Sequence, residues 1–219
     1  MIIYVEGNIG TGKTTLLEIL KTYFPNKNNT VIYEPVDQWK LVKDENGVNL
    51  LDKFYSDIQK WSFAFQMNSF ISRIHRVMEQ RKDDNTVNFV ERSIFTDKYC
   101  FAENCYESGM MDKIEYDIYC RWHEWLQTAF DVAPNAYIYL KTDPKISSQR
   151  IAKRSRDEEG GIPIEYLTTL HEKHNKWMDR ERERGVPVLE LDLSVDYDKN
   201  PQYKLELIKQ IKEFIESLE

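Results

Sequence analysis

The stretch Ile2-Ile3-Tyr4-Val5-Glu6-Gly7-Asn8-Ile9-Gly10-Thr11-Gly12-Lys13-Thr14 decides the fold. A short apolar run enters a glycine-rich turn, and Thr14 to Tyr23 follow with Leu16, Leu17, Ile19 and Leu20 spaced for the buried face of a helix. Residues 7–14 match G-x4-G-K-[ST] in the strand, loop, helix setting that this pattern demands. Chance alone gives such a match in a chain of this length on the order of once in a hundred, before the setting is counted. The glycines let backbone N–H groups converge on phosphate oxygens at a helix N-terminus, Lys13 adds a point charge for the β- and γ-phosphates, and Thr14 offers a hydroxyl to Mg²⁺. The nucleotide-binding candidates are therefore Gly7, Asn8, Gly10, Thr11, Gly12, Lys13, Thr14 and Thr15, with ATP or GTP as ligand.

Working outward, Val31-Ile32-Tyr33, Val87 to Val90, Ala136 to Leu140 and Val186 to Leu189 read as further short strands separated by helical patterns. Strands joined by long crossovers predict an α/β P-loop fold with a five-stranded parallel sheet and helices on both faces. Phe54, Ile58, Trp61, Phe65, Ile71, Ile74 and Met78 predict one long helix, and Lys204 to Leu218 a docked terminal helix with Leu205, Ile208, Ile211, Phe214 and Ile215 on its stripe. Residues 150–161, charged on both signs and closed by Gly160-Gly161, read as a mobile surface segment. The chain has 219 residues, 41% of them hydrophobic, enough to bury one core, so a single domain over 1–219 is expected.

Thirty Lys+Arg against 37 Asp+Glu give a net charge of −7, which repels a phosphate backbone and argues against nucleic acid as partner. Without a membrane-length apolar run or a leader, the expectation is a soluble, cytoplasmic protein. Cys100, Cys105 and Cys120 read as reduced thiols. A zinc set built from them and His123 is disfavoured, because five helical residues put the first two about 140° apart around the axis.

A P-loop does not choose among kinases, GTPases and nucleotide switches. A guanine reader of the N-K-x-D kind is absent, since Asn26-Lys27 continues into Asn28-Asn29, and Asp44-Glu45-Asn46-Gly47 fits D-x-x-G but lies in the polar loop from Lys43 to Asn49 and reads as a turn. Ligands of a doubly wound sheet sit beyond the carboxyl ends of the strands, where Glu34 and Glu91-Arg92-Ser93 stand. A carboxylate there can take the proton of an attacking hydroxyl, and a guanidinium can stabilise the transferring phosphoryl group. The plain alternative for each is a solvated charge or a helix cap.

In order, these motifs, Glu34-Pro35-Val36 with Trp39, Trp61-Ser62-Phe63-Ala64-Phe65-Gln66, Glu91-Arg92-Ser93, Arg150 to Arg156 and Gly161-Ile162-Pro163-Ile164-Glu165-Tyr166-Leu167 resemble the deoxynucleoside kinases, in particular their deoxycytidine/deoxyguanosine kinase group. The resemblance runs from Ile2 into the C-terminal helix. It implies Mg²⁺-dependent transfer of the γ-phosphoryl group of ATP to the 5′-hydroxyl of a deoxynucleoside. Glu34 then resembles the general base, Arg92 the arginine on the transferred phosphate, and Glu91 the acid associated with Mg²⁺ beside Thr14. Tyr55 and Glu165 resemble the pair on the 3′-hydroxyl, Gln66 the amide on the base edge, and Trp39, Phe65 and Phe101 the pocket aromatics, with Ile9 on the P-loop side. Arg150, Arg154 and Arg156 resemble an Arg-rich lid over ATP. Arg73 and Asp97, with the small Ser69 one turn before Arg73, imply a purine deoxynucleoside or deoxycytidine rather than thymidine. The resemblance further implies a homodimer through Ser56 to Arg81 and Lys113 to Phe130.

The residues by themselves leave plainer readings open. Phe65 stands at core spacing, the Arg150 to Arg156 cluster suits a solvated face, and Arg73 with Asp97 suits a surface pair. Gln66 and Arg73, seven apart, share one helix face, whereas His75, His123, His171 and His174 show no partner pattern. The rival functions are a nucleoside monophosphate kinase of the thymidylate kinase type, whose acceptor needs extra cations, and a nucleotide-switched binding module.

Overall fold

Strand β1 (Ile2–Gly7) is buried along its whole length, because both its edges and both its faces are covered. In this computed structural model, which describes residues 1–24, 29–82, 86–154, 162–195, 197 and 200–218, β1 pairs in parallel with β3 (Val87–Glu91) and β4 (Ala136–Lys141). Outside these lie β2 (Asn29–Ile32) and β5 (Val188–Asp192), so the parallel sheet has the order β2-β3-β1-β4-β5.

The crossovers are α1 (Lys13–Tyr23), then α2 (Val36–Leu41), α3 (Leu50–Ser56) and α4 (Ile58–Gln80) between β2 and β3. Between β3 and β4 come α5 (Ile94–Thr96), a π-helical turn Asp97–Ala102, α6 (Glu103–Glu107) and α7 (Lys113–Ala129). Helices α8 (Pro144–Arg154) and α9 (Ile164–Glu183) precede β5, and α10 (Pro201–Glu216) follows it.

Side chains alternate across a strand, and β1 shows what that accomplishes. Ile2 and Tyr4 join Phe70 and Ile74 of α4, Tyr119 of α7 and Trp177 of α9 on one face. Ile3 and Val5 join Leu16 and Leu20 of α1 and Leu207, Ile211 and Ile215 of α10 on the other. A third cluster, with Trp39, Leu51, Phe54 and Phe65, stands apart from the sheet and walls the site.

Several boundaries differ from the sequence expectation. The long helix does not run through from Phe54: Asp57 is extended (φ −151°, ψ 82°) and its carboxylate caps α4 by accepting the Lys60 N–H, which leaves Phe54 and Tyr55 on α3. β5 begins two residues after Val186, because the Val186 N–H is bound to Glu181 O in the turn that closes α9 and Pro187 has no N–H to donate. β2 occupies Asn29–Ile32, and Tyr33 leaves the ladder. On α10, Leu205 is 58% exposed, and the buried stripe is Leu207, Ile211 and Ile215.

Asp44 to Gly47 form the expected turn, with Asp44 Oδ1 accepting the N–H groups of Asn46 and Val48 and Gly47 at φ +81°. Cys100 and Cys105 are free, buried and in separate clusters. Gly160, Gly161 and Arg156, and with them most of the expected lid, lie outside the described residues. No helix among the described residues is long and apolar enough to cross a membrane.

Candidate active site

The P-loop between β1 and α1 rests directly on its neighbours. Gly10 has φ +78°, and a Cβ there would lie 2.6 Å from Ser147 O of α8; Gly7 has φ +148°, and a Cβ there would lie 2.7 Å from Leu140 O of β4. Neither position tolerates a side chain, so the backbone follows the sheet closely. Lys13 is buried and its Nζ donates to Gly7 O (3.1 Å) and Asn8 O (2.8 Å). Burial, with the charge of Arg92 added, pushes its ammonium down to about 7. Asn8 turns away from the cavity, donating from Nδ2 to Leu167 O of α9 at 2.7 Å. The Thr14 hydroxyl donates to Glu91 Oε1 at 2.7 Å, so a hydroxyl and a carboxylate, both hard oxygen donors, stand together at the cavity wall.

At the strand ends four charged side chains interlock. Arg73 grips Asp97 with two bonds (Nε to Oδ2 2.8 Å, Nη2 to Oδ1 3.1 Å), and its Nη2 also reaches Glu34 Oε1 at 2.9 Å. Its Nη1 donates to Glu91 O at 3.1 Å. Arg92 meets the same Glu34 oxygen with Nε at 3.3 Å and lies over the Phe101 ring, 5.0 Å from its centroid. Partial burial pushes the Glu34 carboxyl up, but the guanidinium groups of Arg73 and Arg92 outweigh it and hold the group down at about 2. Burial also opposes the Arg73 charge, and Asp97 and Glu34 outweigh it, so Arg73 stays protonated.

Beyond Glu34 the cavity turns aromatic. Phe54 stacks on Phe65 with centroids 4.4 Å apart, Trp39 meets Phe65 edge-on, and the Trp39 indole N–H donates to Ser72 Oγ at 2.8 Å. Gln66 is buried with its Nε2 unpartnered, a donor kept free where a ligand edge would lie. Ser69 donates to Asp97 Oδ1 at 3.1 Å, so the buried Asp97 carboxylate is shared by Ser69 and Arg73.

The cavity, of about 580 Å³, unites most of the sequence candidates. Its wall takes Ile9, Gly10, Gly12, Lys13, Thr14 and Thr15 from the P-loop and the start of α1, Glu34, Glu91 and Arg92 from the ends of β2 and β3, Arg154 from the end of α8, and Trp39, Tyr55, Phe65, Gln66, Ser69, Arg73, Asp97 and Phe101 from the helices between. Gly7, Asn8 and Thr11 stand behind this wall as supports, Thr11 by donating to Asn8 O. Arg150 points elsewhere, donating to Leu193 O (2.7 Å) and Val195 O (3.4 Å) beyond β5. Glu165 is exposed outside the cavity wall, while its neighbour Tyr166 lines it. Sequence reasoning missed Glu18, Tyr33, Val36, Leu51, Phe54 and Tyr166 as lining residues. Adjacency to Tyr55 and Glu165 was the available signal for Phe54 and Tyr166.

A family model described as deoxynucleoside kinase matches residues 3–216. The chain belongs to the deoxynucleoside kinase family. It is 36% identical to deoxycytidine kinase 1 of Xenopus laevis, with 99% of this chain and 91% of that protein covered. A probable deoxycytidine kinase of fowlpox virus is also 36% identical, over 99% of this chain and 88% of its own length. Mitochondrial thymidine kinase 2 of Homo sapiens is 34% identical, over 98% and 77%. This deoxynucleoside kinase is thus an enzyme of phosphoryl transfer, and members named for different bases align along nearly all of it, so base preference must be read from the pocket.

Proposed function

We propose that the cavity transfers the γ-phosphoryl group of ATP to the 5′-hydroxyl of deoxycytidine or a purine deoxynucleoside in preference to thymidine. The observation that carries this reading is the Glu34 carboxylate, ionised and held by Arg73 and Arg92 where the P-loop end of the cavity meets the aromatic end. A hydroxyl placed there loses its proton to Glu34 as the phosphoryl group arrives, and Arg92 and Lys13 stabilise the charge on its oxygens. The depressed affinity of Glu34 for protons suits a transfer completed late, when the hydroxyl has become acidic. Thr14 and Glu91 are the residues that would hold Mg²⁺, which neutralises phosphate charge when bound.

At the acceptor end, Gln66 and the Asp97 carboxylate face the base edge, where an exocyclic amine can donate to Asp97. The bulk of the Arg73–Asp97 pair leaves little space for the thymine methyl group. Tyr55 at the wall, with Glu165 just outside it on the first turn of α9, is assigned to the 3′-hydroxyl, and Arg154, with Arg156, to the donor phosphates, whereas Arg150 is engaged by Leu193 O and Val195 O and is left out of that set. Arg73 and Arg92 are both paired with Glu34, which disfavours a monophosphate acceptor needing free cations.

The Glu34→Gln change tests the assignment. Nucleoside binding should persist, measured calorimetrically, while kcat falls about 10²-fold or more; near-normal kcat would remove Glu34 from its role. A homodimer in a reducing cytoplasm completes the proposal. The apolar side chains exposed on α7, among them Ile114 (72%) and Trp125 (55%), with Ile71 and Met78 on α4, support a second copy as their cover. Trp122→Glu with Trp125→Glu should halve the mass in sedimentation equilibrium.

A further inference from the structure

Glu6 is an acid at the penultimate position of the central strand β1, after four apolar residues, fully buried, and it lies outside the cavity wall. A carboxylate at such a place conflicts with the local pattern, and sequences accept conflicts of this kind at working sites. Its two oxygens are spent on one short segment: Oε1 accepts the Ser93 N–H at 2.8 Å, and Oε2 accepts the Thr96 hydroxyl. The residue just before that segment is Arg92, the one non-glycine residue with positive φ (+60°) among the described residues. A left-handed arginine persists only where its surroundings fix it. Here consecutive residues of β1 do so, since Val5 O accepts the Arg92 N–H at 3.1 Å and the Glu6 side chain holds the next N–H along. Thr96, the second partner, precedes Asp97, the carboxylate gripped by Arg73.

We propose that Glu6 is a positioning residue of the phosphoryl transfer: by clamping Ser93 and Thr96 it holds the left-handed turn that aims the Arg92 guanidinium at Glu34 and the transferring phosphate. The inference rests on the role assigned to Arg92 above. Glu6 touches neither substrate; it acts through the backbone, as a brace between the central strand and the turn beyond β3. A purely structural acid would lower stability without singling out the chemical step.

The test compares Glu6→Gln, Glu6→Met and Arg92→Lys, singly and with Glu6→Met and Arg92→Lys combined, in steady-state kinetics of the full chain with deoxycytidine and ATP. Glu6→Gln keeps an oxygen for the Ser93 N–H and should rescue kcat to within about threefold of wild type. Glu6→Met should lower kcat roughly 30-fold while both KM values stay within about threefold. In the Arg92→Lys background the same change should cost less than about threefold, because the aim of the lost guanidinium no longer matters. Additive losses, KM values that rise in step with the loss, or a normal kcat in Glu6→Met would overturn the proposal. An Arg92→Lys enzyme of normal kcat sinks the Arg92 assignment itself, and the brace with it. Should Glu6→Met fail to fold, Thr96→Val removes only the second donor, and a kcat loss of about fivefold that vanishes with Arg92→Lys carries the same meaning.

Discussion

The two ends of the cavity are made in opposite ways. At the P-loop end, one contiguous stretch between β1 and α1 supplies Ile9, Gly10, Gly12, Lys13, Thr14 and Thr15 to the wall, and the groups proposed for phosphate are backbone N–H groups with the Lys13 ammonium. At the acceptor end, α2, α3, α4, the π-helical turn after β3 and α9 each contribute side chains, and Glu34, Arg73, Arg92 and Asp97 are joined by direct bonds. A backbone site is specific for phosphate and tolerant of the rest of its ligand. A side-chain site can be retuned for a new base, but only by disturbing the charges bonded to Glu34, the carboxylate proposed as the base.

The largest effect expected from that contrast is at the backbone end. Lys13→Ala should lower kcat by about 10³-fold or more with nucleoside affinity unchanged, read by single-turnover phosphorylation and calorimetry. An undiminished rate would mean that the P-loop is not the donor site. At the other end, Arg73→Met with Asp97→Ala should admit thymidine and yet lower kcat on every nucleoside roughly tenfold or more, because Glu34 loses the Nη2 bond from Arg73. A double mutant that gains thymidine at full kcat would show that base reading and catalysis are separable.

The smallest effect concerns protons. Lys13 is pushed down to about 7 by burial, and bound phosphates should raise it again. Free enzyme therefore loses the Lys13 proton as the pH rises, whereas the complex keeps it. Between pH 7.5 and 8.5, where the γ-phosphate is already ionised, ATP affinity should weaken about eightfold and binding should take up protons. Calorimetry in buffers of different ionisation enthalpy measures this directly. Proton release in that window would reverse the assignment.

What the residues disclosed follows the same division. The P-loop and the strands around it were legible because their signals are contiguous: an apolar run, a glycine pattern, a helical repeat. The break at Asp57 was not, since Phe54 and Ile58 keep helical spacing on either side of it while the capping carboxylate between them decides the geometry. Nor was the bond from Arg73 to Glu34, which crosses 39 positions and exists only because α4 packs against β2 and the π-helical turn, with Arg73 also bonded to Glu91 O at the end of β3. Spacing along α4 placed Gln66 and Arg73 on one face, and that placement held. The direction taken by Arg150, toward Leu193 and Val195, depends on where the chain leaves β5, which no local pattern encodes.

The position of β1 in the sheet also bears on how the enzyme is born. Both of its neighbours are synthesised after it, and Ile3 waits for Phe89 on one side and for Ala136 on the other. At ribosomal rates of about 5–20 residues per second, that leaves this buried strand and the glycine loop after it without their final partners for roughly ten seconds. During that interval Ile2 to Val5 carry unsatisfied strand edges, which are open to pairing with other chains and so to aggregation. The loop between β1 and α1 is therefore made well before the strands that hold it in place.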